Sequence, residues 1–279
     1  MNGKICLITG ATGGIGKETA LGLAQQGATV VIVGRDEAKT TSVVEEIKRA
    51  SNNPGIHYLI GDLSSQQDVR AVARQFKERF TRLDVLVNNA GGVFSGRRTT
   101  VDGIEYTFAL NHLAYFLLTN ELIDLLKQST PSRIINLSSE AQRGARLNWN
   151  NLQGEKHYNS FGQYCFTKLA NIMFTYELDR RLRGSNVTVN AVHPGVVSSG
   201  FGTTLGRRMQ ILYSYIRPFM RSSKKGAETV IFLASSRETA GISGKYYFDK
   251  RQIRSQQVTY DESAAKKLWR ISEQLVGQE

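Results

Sequence analysis

A chain of 279 residues with 41% hydrophobic and 22% charged residues is long enough to bury its own core, and too ordinary in composition to be disordered or fibrous. Its two cysteines, Cys6 and Cys165, exclude a disulfide framework and a zinc pattern, and no apolar run approaches the ~20 residues of a membrane-spanning helix. The formal net charge of +12 comes without a nucleic-acid-binding motif, so nucleic acid is not an expected partner.

The first β-rich run, Ile5–Thr9, begins almost at Met1, so no signal peptide is expected before it. With two thiols set in apolar stretches and expected to stay reduced, a cytoplasmic location is the expectation. The run ends in Thr9-Gly10-Ala11-Thr12-Gly13-Gly14-Ile15-Gly16 and passes into a helical pattern over Lys17–Gln26. A glycine-rich turn between strand and helix lets backbone approach a pyrophosphate at the helix N-terminus. Gly10, Thr12, Gly14, Ile15 and Gly16 are the expected contacts; a plain tight turn is the alternative. The second run, Thr29–Val33, leads to Gly34-Arg35-Asp36. An acidic strand tip suits the ribose hydroxyls of NAD; the guanidinium fork of Arg35 suits a 2′-phosphate and favours NADP(H). Asp36 either faces that ribose or caps the next predicted helix, Glu37–Ala50.

Runs at Ile56–Ile60, Asp84–Val87, Arg133–Leu137, Val187–Val192 and Lys245–Phe248 follow, with a helical pattern over Gln66–Phe80. Nearly continuous apolar strands alternating with helices predict a doubly wound α/β (Rossmann) fold, one domain over 1–279 with a mainly parallel sheet of seven strands. Asp62 and Leu63 follow the third strand, and Asn89, Ala90 and Gly91 the fourth; these strand tips should line the ligand crevice. Asn111 falls in a predicted helix after the fourth strand. Ser139 ends the fifth strand, and Glu140–Gln163 reads as a loop near the site.

Tyr164-Cys165-Phe166-Thr167-Lys168 opens a helical stretch running to Arg183. The spacing of four puts phenol and ammonium on one helix face, where the cation should draw the phenol towards working pH. Pro194, Gly195 and Val197 form a turn after the sixth strand. Between Phe201 and Ala227, Arg207, Arg208, Arg217, Arg221, Lys224 and Lys225 are interleaved with Met, Ile, Tyr and Phe, without an acidic residue. This segment, 201–227, reads as a substrate lid, and its pattern is also compatible with peripheral contact with an anionic membrane. The four histidines show no metal-ligand spacing, and no metal site is expected. Trp149 and Trp269 read as packing residues, and Glu262–Val276 as an amphipathic helix.

These residues carry a resemblance. Thr9–Gly16 matches the TGxxxGxG turn of the short-chain dehydrogenase/reductase superfamily and Asn88–Gly91 its NNAG element. Asn151-Leu152-Gln153-Gly154-Glu155-Lys156, with Tyr164–Asn171 (YCFTKLAN), is similar to the retinol dehydrogenase and WW-domain oxidoreductase branch. The resemblance implies a catalytic tetrad of Asn111, Ser139, Tyr164 and Lys168. Tyr164 would exchange a proton with the substrate oxygen, Ser139 would hydrogen-bond that oxygen, Lys168 would also hold the nicotinamide ribose, and Asn111 would hold a relay water through its backbone. Tyr164 and Lys168 would thus contact NADP(H) as well, with Pro194, Gly195 and Val197 bracing the nicotinamide. It further implies hydride transfer between NADP(H) and a carbonyl or alcohol, with a lipophilic substrate, retinal/retinol-like or another aldehyde or ketone. Assembly as a homodimer or homotetramer is a family expectation. A non-catalytic NADP(H)-binding sensor or scaffold is the alternative, and retention of all four tetrad residues speaks against it.

Overall fold

The structure, a computed structural model, describes residues 1–129, 131–197 and 220–278. One sheet holds β1 (Ile5–Thr9), β2 (Thr29–Gly34), β3 (Ile56–Ile60), β4 (Val85–Asn88), β5 (Ser132–Leu137), β6 (Val187–Val192), β7 (Lys245–Phe248) and β8 (Arg251–Ile253). The spatial order is β3-β2-β1-β4-β5-β6-β7-β8, and only the β7–β8 pair is antiparallel. Among the described residues the α-helices are α1 (Gly14–Ala24), α2 (Glu37–Ser51), α3 (Gln66–Arg79), α4 (Tyr106–Phe108), α5 (Ala114–Gln128), α6 (Ser160–Arg181), α7 (Ser223–Ser235) and α8 (Glu262–Val276).

This is the doubly wound α/β fold expected, with eight strands instead of seven among the described residues. The extra strand, Arg-Gln-Ile, is short and polar and lies at the sheet edge. It returns from β7 through Asp249 and Lys250, at φ 47° and 62°, the left-handed pair that suits the twist of a two-residue hairpin. No hydrophobic alternation marks it, so periodicity passes over it.

The continuous apolar strands have their reason in the two covered faces. Cys6, Ile8, Val30, Ile32, Val85 and Val87 pack against Leu23, Val44, Ile47 and Leu233 on one side. Their neighbours Leu7, Val31, Val33 and Leu86 pack against Phe76, Phe116, Leu122 and Leu169 on the other. Helix α6 is buried along most of its length, and α8 lies against it. Trp269 of α8 packs on Phe116 of α5 and Phe174 of α6, at ring centroid distances of 4.8 and 5.7 Å, as its packing role requires. Asp36 accepts from the Lys39 backbone N–H at 2.8 Å, so it caps α2.

Among the described residues no helix is long and apolar enough to cross a membrane. The expected lid over 201–227 lies largely outside the described residues. Its described end is tied down: Arg221 donates its backbone N–H to the Val196 carbonyl at 2.9 Å and pairs with Asp249, while Lys225 pairs with Glu228 at 2.9 Å.

The sheet's order reverses at β1, whose neighbours β2 and β4 feed connections to opposite faces. The crevice this leaves beyond the strand ends is where open α/β sheets hold ligands.

Candidate active site

A cleft of about 580 Å³ occupies that crevice. Its floor is the latch between the tips of β1 and β4. The Thr9 hydroxyl accepts from the backbone N–H groups of Asn89 and Ala90 at 2.9 and 3.0 Å. In return the Asn89 amide donates to the carbonyls of Thr9 and Gly10 at 2.7 and 3.0 Å. The glycines make this approach feasible. A Cβ on Gly10 would stand 2.7 Å from the Ala90 Cα, and one on Gly16 would stand 2.6 Å from the Gly10 carbonyl oxygen. Helix α1 then begins at Gly14 with neither a side-chain cap nor an acidic residue in its first turn. Its first N–H groups open on the cleft, an electrostatic seat for a pyrophosphate.

At the far end of the cleft stand Arg35 and Lys39. Arg35 leans on Tyr106, donating to its hydroxyl at 3.3 Å. Asp36 is engaged as the α2 cap, so two cations face this end. Lys39 was not among the expected contacts; it lies in the first turn of α2, just past the Asp36 cap that follows Arg35. Asp62 and Leu63 line the wall; the Asp62 carboxylate is held by the Ser64 N–H and hydroxyl at 3.0 and 2.9 Å.

At the other end lie Tyr164 and Lys168 on the first turns of α6, whose start is capped by Asn159 accepting from Gly162 at 2.7 Å. Burial pushes the Tyr164 phenol up to about 12, opposed by its hydrogen bond with the Ser139 hydroxyl. The expectation of a phenol drawn down by Lys168 is therefore not met in the protein alone, because desolvation is the largest influence. Burial also pulls Lys168 down to about 7. Its ammonium donates to the Leu137 carbonyl at 3.2 Å, which leaves donors for a ribose hydroxyl. Ser138 lines the cleft with its hydroxyl spent on the Lys168 carbonyl at 2.7 Å, whereas Ser139, the later serine of the pair, does not line it and is the one hydrogen-bonded to the phenol.

Asn111 sits behind the wall, in a π-helical turn, Ala109–Leu113, that joins α4 to α5. Its amide accepts from the Gly92 N–H and donates to the Gly92 carbonyl, both at 2.9 Å, and donates to Thr167 at 3.1 Å. It thereby props the Gly91–Gly92 segment beside the cleft. Gly10, Thr12, Gly14, Ile15, Gly16, Asn89, Ala90, Gly91 and Pro194 line the cleft as expected. Gly195 and Val197 do not line it: Gly195 donates to His193 Nδ1 at 3.2 Å, and Val197 bridges to Arg221. Phe94, Leu110, Leu137 and Gly92 also line it, and no motif marked them. Among the described residues no group of His, Cys, Asp and Glu side chains is placed to hold a metal.

The family model described as short chain dehydrogenase matches residues 4–210. The chain belongs to this family. Human retinol dehydrogenase 14 is 42% identical over 297 aligned residues, covering 99% of this chain and 87% of that protein, which places the chain in the retinol dehydrogenase branch. Two solved structures share the fold of this short-chain dehydrogenase. An uncharacterised protein from Mycobacterium paratuberculosis superposes with a TM-score of 0.80 at 29% identity, covering 100% of this chain and 95% of that one. RhlG of Pseudomonas aeruginosa, in an active-site complex with NADP, does so at 0.70 and 27%, covering 88% and 94%. A nicotinamide cofactor is the ligand class that this fold supports, and the uncapped α1 terminus and glycine floor fit it.

Proposed function

We propose that this short-chain dehydrogenase transfers a hydride between NADP(H) and a carbonyl or alcohol, on a lipophilic substrate of the retinal/retinol kind or another aldehyde or ketone. The observation that carries the reading is that Tyr164, hydrogen-bonded to Ser139, and Lys168 line one end of a cleft whose other end presents Arg35 and Lys39.

The bound cofactor supplies or accepts the hydride. The chain's residues do the rest. Gly10, Thr12, Gly14, Ile15 and Gly16 would seat the pyrophosphate on α1, and Arg35 with Lys39 would take the 2′-phosphate. Asp62, Leu63, Asn89, Ala90 and Gly91 would line the path between, and the Pro194, Gly195 and Val197 turn would brace the nicotinamide. Ser139 donates a hydrogen bond to the substrate oxygen and stabilises the charge developing on it. A phenol held at about 12 carries its proton at neutral pH, so Tyr164 is ready to protonate a nascent alkoxide. The Lys168 ammonium favours the phenolate left behind, and Asn111 fixes the segment opposite. Phe94 and Leu110 in the cleft wall, with Phe161 exposed and stacked on the Tyr164 ring at 6.2 Å, support an apolar substrate.

The test is oxidation of NADPH and NADH with a panel of aldehydes and ketones that includes retinal. Turnover with NADPH preferred is the expected result. Tight NADPH binding without turnover on any carbonyl would overturn the reading.

A further inference from the structure

The geometry points to Asn171 as a positioning residue for the proton-handling end of this site, oriented by His112; the inference rests on the roles given above to Lys168 and Asn111. Asn171 lies three residues after Lys168 on the same face of α6. Its Nδ2 donates to two carbonyls, that of Asn111 at 2.9 Å and that of Leu137 at 3.1 Å. Leu137 is the same carbonyl that accepts from the Lys168 ammonium at 3.2 Å. One buried amide therefore holds the backbone of the π-helical turn at Asn111 and shares the anchor of Lys168.

The chemistry fixes the amide's orientation. Two carbonyl oxygens can only face its nitrogen, so Oδ1 must face His112 Nδ1, 3.2 Å away. That nitrogen must then carry a proton. Burial keeps His112 neutral at physiological pH, so Nε2 is bare and shares the single Ser272 hydroxyl proton, 3.1 Å away, with the Leu268 carbonyl 2.9 Å from the same oxygen. A chain of hydrogen bonds thus runs from α8 through His112 and Asn171 to the two carbonyls. A carbonyl oxygen has two lone pairs. With Asn171 on one of them, Lys168 is confined to the other.

Without the amide, the Leu137 carbonyl falls wholly to Lys168. The ammonium is drawn towards β5 and its charged form gains. The ionisable side chains facing this ammonium are Tyr164 on its own helix and Tyr115 on α5, with ring centroids 5.6 and 5.8 Å from Nζ; His112 acts on it only through Asn171.

The experiment compares Asn171→Leu, close in volume but without polar atoms, with Val44→Ala, a core variant on the opposite sheet face, scored at matched loss of Tm. Lys168 is titrated in 13C-lysine-labelled full-length protein by NMR, and kcat is measured with a carbonyl that the wild type reduces. The expected result is an upward shift of the Lys168 midpoint and a kcat lowered roughly 10- to 100-fold in Asn171→Leu only. A midpoint and kcat indistinguishable from those of Val44→Ala overturn the inference. Should Asn171→Leu fail to fold, His112→Gln and His112→Leu serve instead. The glutamine amide can still donate to Asn171, so it should retain more activity than the leucine; equal loss overturns the inference. If the wild type reduces no carbonyl, the proposed function fails while the Lys168 titration still tests the positioning by Asn171.

Discussion

The Glu105 carboxylate accepts a hydrogen bond from Gln163 Nε2 at 2.9 Å, one residue before Tyr164. The same carboxylate accepts from the backbone N–H groups of Thr107 and Phe108 at 2.9 and 2.8 Å, and from the Tyr158 hydroxyl at 3.0 Å. It is fully buried. One anion thus joins the helix turn leading to Asn111, the loop before α6, and the start of α6. Glu105→Leu removes four acceptor contacts at once and strands their donors. We expect a loss of about 3 kcal/mol or more, read as a lower urea midpoint, together with reduced turnover. Glu105→Gln keeps one carbonyl oxygen and should lose less. Equal stability of Glu105→Leu and wild type would show that these donors find other partners.

The cofactor end gives a second prediction. Arg35→Asp replaces a guanidinium with a carboxylate that repels a 2′-phosphate and accepts from ribose hydroxyls. The NADPH/NADH ratio of kcat/KM should fall by roughly 100-fold or more, from about 3 kcal/mol of lost and reversed charge interaction. Lys39→Ala, at the exposed rim, should shift the same ratio less. An unchanged ratio in both variants would remove this end of the cleft from phosphate recognition.

Tyr164→Phe deletes the proton and little else. Turnover should fall by at least 100-fold, while the Kd for NADPH, read by fluorescence, stays within about twofold because the phenol adds little uniform binding energy. If turnover survives in Tyr164→Phe, the proton comes from elsewhere. Ser139→Ala should lower kcat less severely, since it removes one hydrogen bond to the oxygen and not the proton donor.

Much of the fold was legible because both faces of the sheet are covered. Strands β1 to β7 show as apolar runs, and their ends agree with the sequence reading to within a residue or two. Strand β8 was not, since Arg251 and Gln252 at an edge need no apolar face. The glycine turn and the Tyr164–Lys168 spacing were legible because their chemistry is local. Glu105, Asn171 and Lys39 were not, for their roles come from packing partners distant in the chain or from the face a helix turn presents. His112 stands out in the sequence by no metal-ligand spacing or motif. Its ring is buried between Asn171 and Ser272, a placement that no spacing announces.

The buried basic groups make stability depend on pH in a stated direction. Burial holds His112 and His193 down at about 4, against about 6.5 for an unfolded chain. Between those values the unfolded chain binds more protons, so stability falls as pH drops from about 6.5 to 4, by on the order of 3 kcal/mol for each histidine. Lys168, held at about 7 against about 10.4 unfolded, acts alike at higher pH. Stability should rise from about pH 7 to 10 as the unfolded chain gives up the proton that the folded one has already lost. Two variants separate the groups. His112→Gln should flatten part of the acid limb and leave the basic one. Lys168→Met should flatten the basic limb and raise stability at pH 7 while abolishing turnover, since a buried ammonium costs folding energy that an apolar chain of similar length does not. Urea unfolding of the three proteins from pH 4 to 10 reads both limbs. If Lys168→Met tracks the wild type from pH 7 to 10, the lysine is solvated and its buried placement at the end of the cleft is wrong.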